Sequence, residues 1–154
     1  MNIDAAAGQP VVVGIDGSDT ALAAAQWAAD YAAKNASPLL LLHAVARLDW
    51  HFLAEAPAPA VDAGSAADAL ITAAEATVRA AHPDLEVRGV TVKESVAGAL
   101  QDASDGARLL VVGAGTDSGV LGRNVVRIAH RARCPVLVWR APVPHRTGRP
   151  LPVV

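Results

Sequence analysis

Residues 11–20 read VVVGIDGSDT, and this stretch places a buried strand directly before a helix. The strand is predicted over 11–16, because valines and an isoleucine form an apolar, β-branched run of strand length. The following GSDT is typical of a helix N-terminus, where a short polar side chain accepts hydrogen bonds from the first free N–H groups. A strand that leads straight into a helix is a typical opening of an α/β fold.

The same alternation of strand and helix continues along the chain. Helices are predicted over 20–34, 65–81, 95–103 and 123–131, and further strands over 39–45, 85–92, 108–113 and 134–140. Three of the strands are nearly continuous apolar runs, which predicts a parallel sheet with helices on both faces, and right-handed crossovers then make it doubly wound. The strand over 85–92 alternates apolar and polar residues, which predicts a half-exposed strand near an edge of the sheet.

Composition narrows the class of protein further. The chain has 154 residues, of which 53% are hydrophobic but only 3% aromatic, and 35 are alanines. This favours one domain in which helices pack closely on a sheet. We expect a flexible N-terminus over 1–9, the domain over 10–140 and an extended, proline-containing tail over 141–154. The net charge of −2 argues against a general electrostatic grip on nucleic acid or on an anionic membrane.

Cysteine content and the N-terminal sequence bear on the compartment. Cys134 is the single cysteine, which excludes an internal disulfide and a cysteine-cluster metal site. The N-terminus lacks the basic and apolar regions of a secretory signal, and no apolar run reaches 18 residues. We therefore expect a cytoplasmic protein that makes no membrane contact. A buried, structural Cys134 is favoured over a redox-sensing thiol.

The carboxyl ends of the strands are where a ligand is expected, because doubly wound folds bind ligands where the strand order reverses. The residues at these ends are Asp16-Gly17-Ser18, His43-Ala44-Val45 and the glycine-rich stretch 113–122. No G-x-S-x-G elbow, pair of carboxylates or pair of histidines accompanies them. The sequence therefore supports no catalytic residue and no metal site, and a nucleotide hydrolase is the least supported function.

Four motifs in their order and spacing resemble the universal stress protein family. They are VVVGIDGS at 11–18, LLLLHAV at 39–45, LLVVG at 109–113 and ARCPVLV at 132–138. The resemblance implies a five-stranded parallel sheet in the order 3-2-1-4-5 and a homodimer formed through the last strand, here Val136, Leu137, Val138 and Trp139. It also implies a role in the stress response rather than a metabolic reaction, and either an ATP-binding or a nucleotide-free subclass.

The implied binding site for ATP or another adenine nucleotide departs from the family pattern. Its residues are Gly14, Ile15, Asp16, Ala44, Gly113, Gly115, Gly122, Arg123 and Asn124. The phosphate loop of ATP-binding members follows G-x2-G-x9-G-[ST], whereas here Thr116 stands at the second glycine, about four residues are missing before Gly122, and Arg123 replaces the final hydroxyl. Two functions therefore stay open: a nucleotide-dependent regulatory module, and a nucleotide-free dimeric interaction protein whose short loop has closed the site.

Several single residues also have two interpretations. Asp16 is either a nucleotide contact or a turn and N-cap residue. Arg123, Arg127 and Arg131 share one helix face, which is either a site for an anion or protein partner or a solvated face, the simpler interpretation. His43 is expected to be a core or strand-end residue. Trp50, His51 and Phe52 either cover the cleft, contact a partner or anchor their segment to the second helix.

Overall fold

The computed structural model describes residues 8–45, 63–115 and 119–142, with side chains left out at 63–65 and 119–123. The strands are β1 (Val11–Gly14), β2 (Leu39–Ala44), β3 (Val87–Val92), β4 (Leu109–Ala114) and β5 (Val136–Arg140), and the helices are α1 (Asp19–Lys34), α2 (Ala63–Ala81), α3 (Val96–Ser104) and α4 (Gly119–Arg131). The predictions for the segment around Trp50, for residues 1–7 of the N-terminus and for most of the tail lie outside the described residues.

The five strands form one parallel sheet in the order β3-β2-β1-β4-β5, which confirms the predicted fold. Val12 on the central strand stands opposite Leu40 on one side and Leu110 on the other. The chain reverses its direction across the sheet after β3, so β1 and β4 become neighbours although five described elements lie between them in the chain. The carboxyl ends of β1 and β4 are therefore the point at which strand order reverses.

Two hydrophobic layers cover the sheet. One layer joins α1 and α2 to the side chains of Val11, Val13 and Leu41, and the other joins α3 and α4 to those on the opposite face, such as Val12 and Leu110. The buried positions of α1 are threonine and alanine only: Thr20, Ala21, Ala24, Ala25, Ala28, Ala29 and Ala32. Small side chains let the helix axis approach the sheet closely, and six of the 35 alanines lie on this buried face.

Both ends of α1 are capped by local hydrogen bonds. The Ser18 side chain accepts from the backbone N–H of Ala21 at 3.1 Å, as the GSDT stretch predicts. At the other end, the N–H groups of Ala36 and Ser37 donate to the carbonyls of Ala33 and Ala32. This is a Schellman arrangement, and it places Ala36 in the left-handed region at φ +50°, where glycine is usual.

The two edges of the sheet differ. β3 is mostly half-exposed, as its alternating sequence predicts. The Glu86 carbonyl accepts from Leu39 of β2, so the next carbonyl, that of Val87, faces the open edge. There the Arg79 guanidinium of α2 donates to it at 2.7 Å, while also pairing with Glu75. On the opposite edge, β5 has no comparable cover among the described residues.

Candidate functional site

The predicted site residues of β1 and β2 lie at the carboxyl edge of the sheet. Gly14 ends β1 and Ala44 ends β2, and both are next to the reversal of strand order. Ile15 is 5% exposed, and its backbone N–H donates to the Leu42 carbonyl at 2.8 Å, which extends the pairing of β1 with β2 by one residue. The turn that follows is therefore rigidly attached to the sheet.

Asp16 is fixed by the turn but has one unpaired oxygen. Its Oδ1 accepts from both the backbone N–H and the hydroxyl of Ser18, at 2.9 and 2.5 Å. These bonds give Asp16 a turn role, which is part of one of the two interpretations of this residue, whereas the N-cap of α1 is Ser18. Its Oδ2 is buried and has no hydrogen-bond partner among the described residues. A buried carboxylate oxygen without a donor is costly, so this atom is suited to a ligand that supplies an N–H or O–H group.

His43 lies at the end of β2 and connects two strands. Its Nδ1 is 2.6 Å from the Ile15 carbonyl oxygen. Because a carbonyl only accepts, this nitrogen carries the proton, and the contact supports the strand-end role predicted for His43. Thr91 stands opposite His43 on β3, and its buried hydroxyl has no partner among the described residues. No sequence pattern pointed to Thr91, because its position opposite His43 depends on the register between two strands far apart in the chain.

Gly113 is a buried residue of β4 that the start of α1 crosses closely. A Cβ atom at this position would lie 3.1 Å from the Thr20 Cγ2 and 3.2 Å from the Thr20 carbonyl carbon and oxygen. The close approach of α1 therefore favours a glycine here, whatever else this residue contacts. Its placement beside a ligand stays a prediction.

The glycine-rich stretch differs from the loop predicted over 113–122. β4 continues to Ala114, and α4 begins at Gly119 rather than at 123, so only residues 115–118 connect the two. Extending an existing helix adds one hydrogen bond per residue, and a glycine costs only about 1 kcal/mol relative to alanine, so Gly119 and Gly122 do not stop it. Gly122, Arg123 and Asn124 accordingly lie in the first half of α4.

Two depressions flank the α1–α2 layer. One, of about 200 Å³, adjoins the Asp16 turn and is mainly apolar, lined among others by Ile15, Leu22, Leu70 and Ala74. The other is larger, about 480 Å³, and lies at the opposite, amino edge of the sheet between the ends of α1 and α2. The larger cavity is therefore remote from the reversal of strand order. Sequence patterns did not indicate either, because both depend on how α1 and α2 are inclined to each other.

Cys134 precedes β5 and is partly buried. Burial raises the pKa of its thiol above the ordinary value, and a backbone hydrogen bond with Leu110 offsets this only in part. A raised pKa leaves little thiolate near neutral pH, which supports the structural role over the redox one.

The described residues also bear on metal sites and membrane spans. Among them, no three histidine, cysteine, aspartate or glutamate side chains are grouped so that they could hold a metal ion. None of the described helices combines the length and the apolar character needed to cross a membrane.

The fold is that of a doubly wound α/β protein, and the candidate site lies where the strand order reverses between β1 and β4. Residues 8–140 match the sequence model of the universal stress protein family, and the chain belongs to that family. It is 37% and 31% identical to two universal stress proteins of Mycobacterium tuberculosis over 88% and 86% of its length. It spans only 48% of the length of each of these relatives.

Solved structures agree with this assignment. A universal stress protein in complex with cAMP is 27% identical, with a TM-score of 0.63 over 87% of this chain and 98% of the other. A family member from Burkholderia pseudomallei is also 27% identical, with a TM-score of 0.58 over 90% of this chain and all of the other.

Proposed function

We propose that this protein is a regulatory module that binds an adenine nucleotide at the carboxyl ends of β1, β2 and β4. The observation that carries the proposal is Oδ2 of Asp16, which is buried without a partner among the described residues while Ser18 holds Oδ1 in place. The 6-amino group of adenine supplies the missing donor. The related structure that contains cAMP supports the same class of ligand.

The small residues around Asp16 fit this ligand. Gly14 and Ala44 end the two strands beside it, and neither carries a side chain that would fill the space of a purine ring. The remaining proposed contacts come from β4 and from the first half of α4: Gly113, Gly115, Gly122, Arg123 and Asn124. A helix N-terminus favours negative charge, so the start of α4 is suited to phosphate.

The short connection between β4 and α4 favours one phosphate over three. Four residues, 115–118, join the strand to the helix. Fully extended, four residues span roughly 13 Å, so they leave little backbone to surround a triphosphate. We expect AMP and cyclic AMP to bind more tightly than ATP.

Calorimetric titration with AMP, cyclic AMP, ADP and ATP tests the proposal, with GMP as a base control. Asp16→Asn is expected to weaken adenine nucleotide binding by about tenfold or more, because a hydrogen bond to a charged group contributes about 1.5–3 kcal/mol. Asp102→Asn, which changes an exposed carboxylate on α3, is the matched control. Dissociation constants weaker than about 1 mM for all the adenine nucleotides would refute nucleotide binding.

If none of the nucleotides binds, the second candidate is favoured, which is a nucleotide-free dimeric interaction protein of the same fold. The close contact between Gly113 and Thr20 is the observation that favours it, because it accounts for that glycine without a ligand. Both candidates share the homodimer.

We propose that the homodimer forms by pairing β5 with β5 of a second copy. The Pro135 carbonyl faces β4, and successive residues of a strand alternate, so Val136 and Val138 direct their backbone groups to the open edge. Val138 is 37% exposed, which is high for a valine in a sheet. Leu137 and Trp139 are partly buried against the core layer beneath α1, which the stacked rings of Trp27 and Tyr31 also contact. A partner would cover this apolar edge.

Sedimentation velocity at micromolar concentration tests the dimer. Val138→Pro removes an N–H group that the monomer does not use, and proline is tolerated on edge strands, so the variant is expected to be a folded monomer. Val138→Ala keeps the N–H group and is expected to stay dimeric. A monomeric wild-type protein, or an unchanged dimer in the proline variant, would refute pairing through β5.

A further inference from the structure

Helix α4 differs from the other helices in its charge. Its sequence, GVLGRNVVRIAHR, contains three arginines and a histidine and no carboxylate. In each of the other described helices, aspartates and glutamates together outnumber lysines and arginines by one. A basic helix in a chain of net charge −2 is a local feature of the surface rather than a consequence of overall composition.

The basic side chains with described positions on α4 are exposed and unpaired. Arg127, His130 and Arg131 are all exposed, and no ion pair joins them to another residue in the described part of the chain. Other arginines differ: Arg79 pairs with Glu75 at 2.8 Å, and Arg133 lies 3.6 Å from Asp105. Within the described part of the chain, no carboxylate therefore balances the charge on the outer surface of α4.

An apolar side chain stands on the same outer surface. Val126 is 68% exposed, the most exposed of the large hydrophobic residues that the structure describes. The helix turns Ile128 into the core, where it is completely buried, so Val126 is not needed to attach α4 to the sheet. We call Val126, Arg127, His130 and Arg131 the basic face.

We propose that the basic face docks an acidic segment of a partner protein that places an aliphatic side chain on Val126. Arg127 and Arg131 are one turn apart, about 6 Å, which suits carboxylates one turn apart on a helical segment. Arginine forms two parallel hydrogen bonds with a carboxylate, which provides geometry as well as charge. The exposed valine favours a protein partner over nucleic acid, because a phosphate backbone offers it no apolar contact.

Fluorescence anisotropy with a defined peptide tests this surface. The probe is a labelled 15-residue helical peptide in which pairs of glutamates four apart flank a leucine, and the control peptide has lysine at each glutamate. The full chain is expected to bind the glutamate peptide, more weakly as salt is raised, and not the lysine peptide. Duplex DNA and anionic vesicles are titrated in parallel.

Matched variants locate the binding. The double variant Arg127→Glu/Arg131→Glu is expected to weaken binding about thirtyfold or more, and Val126→Ser about threefold to tenfold. Arg88→Glu reverses an exposed arginine on β3 and is expected to change binding less than about twofold. Circular dichroism confirms that each variant is folded, and Arg127→Gln/Arg131→Gln is used if the double reversal is not.

The proposal is overturned by any of four results. One is that the two peptides bind equally tightly, and a second is that neither peptide binds with a dissociation constant below about 1 mM. Another is a double variant that binds like the wild type. The last is tighter, arginine-dependent binding of DNA or vesicles, which would assign the basic face to that class of partner instead.

Discussion

Replacing Gly113 with alanine separates a packing role from a binding role for this residue. In a strand, alanine normally stabilises relative to glycine by roughly 0.5–1 kcal/mol, because glycine loses more conformational freedom on folding. Here the new Cβ would lie 3.1 and 3.2 Å from Thr20, below the ordinary contact range that starts at 3.4 Å. We therefore expect Gly113→Ala to lower the free energy of unfolding instead of raising it.

The size of this destabilisation follows from the atoms that the new Cβ would displace. Two of the three close atoms belong to the Thr20 backbone, so α1 as a whole must shift by a few tenths of an ångström. Its buried face of small residues is tightly packed on the sheet, and overpacking of this kind costs about 1–3 kcal/mol. For a domain of this size the melting temperature would fall by roughly 2–10 °C.

Urea unfolding without nucleotide measures this change directly. Adding Thr20→Ser to Gly113→Ala removes the Cγ2 contact and is expected to recover part of the loss, since the backbone contacts remain. A Gly113→Ala protein that is as stable as the wild type, or more stable, would show that the packing argument is wrong. If such a protein also bound AMP more weakly, the binding role would be favoured.

Three further predictions concern the C-terminal end of α1, Ser104 and Cys134. Ala36→Gly relieves the left-handed φ of +50° and is expected to stabilise by about 0.5–1 kcal/mol in urea unfolding, whereas Ala33→Gly, in the last turn of α1, should destabilise by about 1 kcal/mol; equal effects would contradict this. Ser104→Ala removes a fully buried hydroxyl that accepts from the Arg133 N–H at 2.9 Å. If the free energy of unfolding falls by less than about 1 kcal/mol in this variant, the hydrogen bond contributes little. Because burial raises the pKa of Cys134, its alkylation at pH 7.5 should be slower than that of glutathione and accelerate with rising pH; a faster reaction would refute the assignment.

The sheet could be predicted because its strands are short apolar runs with turn residues on both sides. The helix and strand order followed from that alternation, while the strand order came from the family resemblance and not from periodicity. The ends of the elements were less accurate where a polar or glycine residue continues a regular element. Ala114 still pairs with Arg140, and Gly119 already belongs to α4, so the predicted loop was too long at both ends.

For the candidate site, the sequence located the turns at the carboxyl ends of the strands but not their side-chain geometry. Asp16 could be placed at the reversal of strand order, since that depends only on topology. Its unpaired Oδ2 could not be foreseen, because it results from Ser18 occupying Oδ1 and from burial by neighbouring elements. The same holds for Gly113, whose packing against Thr20 depends on the tilt of α1.

The contact between Arg79 and the Val87 carbonyl has a consequence for how copies of this chain can assemble. A parallel sheet with two equally open edges could add β3 of one copy to β5 of the next, and repetition would give an endless fibre. A strand of another copy can pair with β3 only after it displaces the Arg79 guanidinium, which Glu75 also holds. Addition of copies at β3 is therefore disfavoured. The proposed pairing of β5 with itself would use up the other edge on both copies, and assembly would then stop at two. One arginine on α2 would thereby favour a closed, finite complex over a polymer.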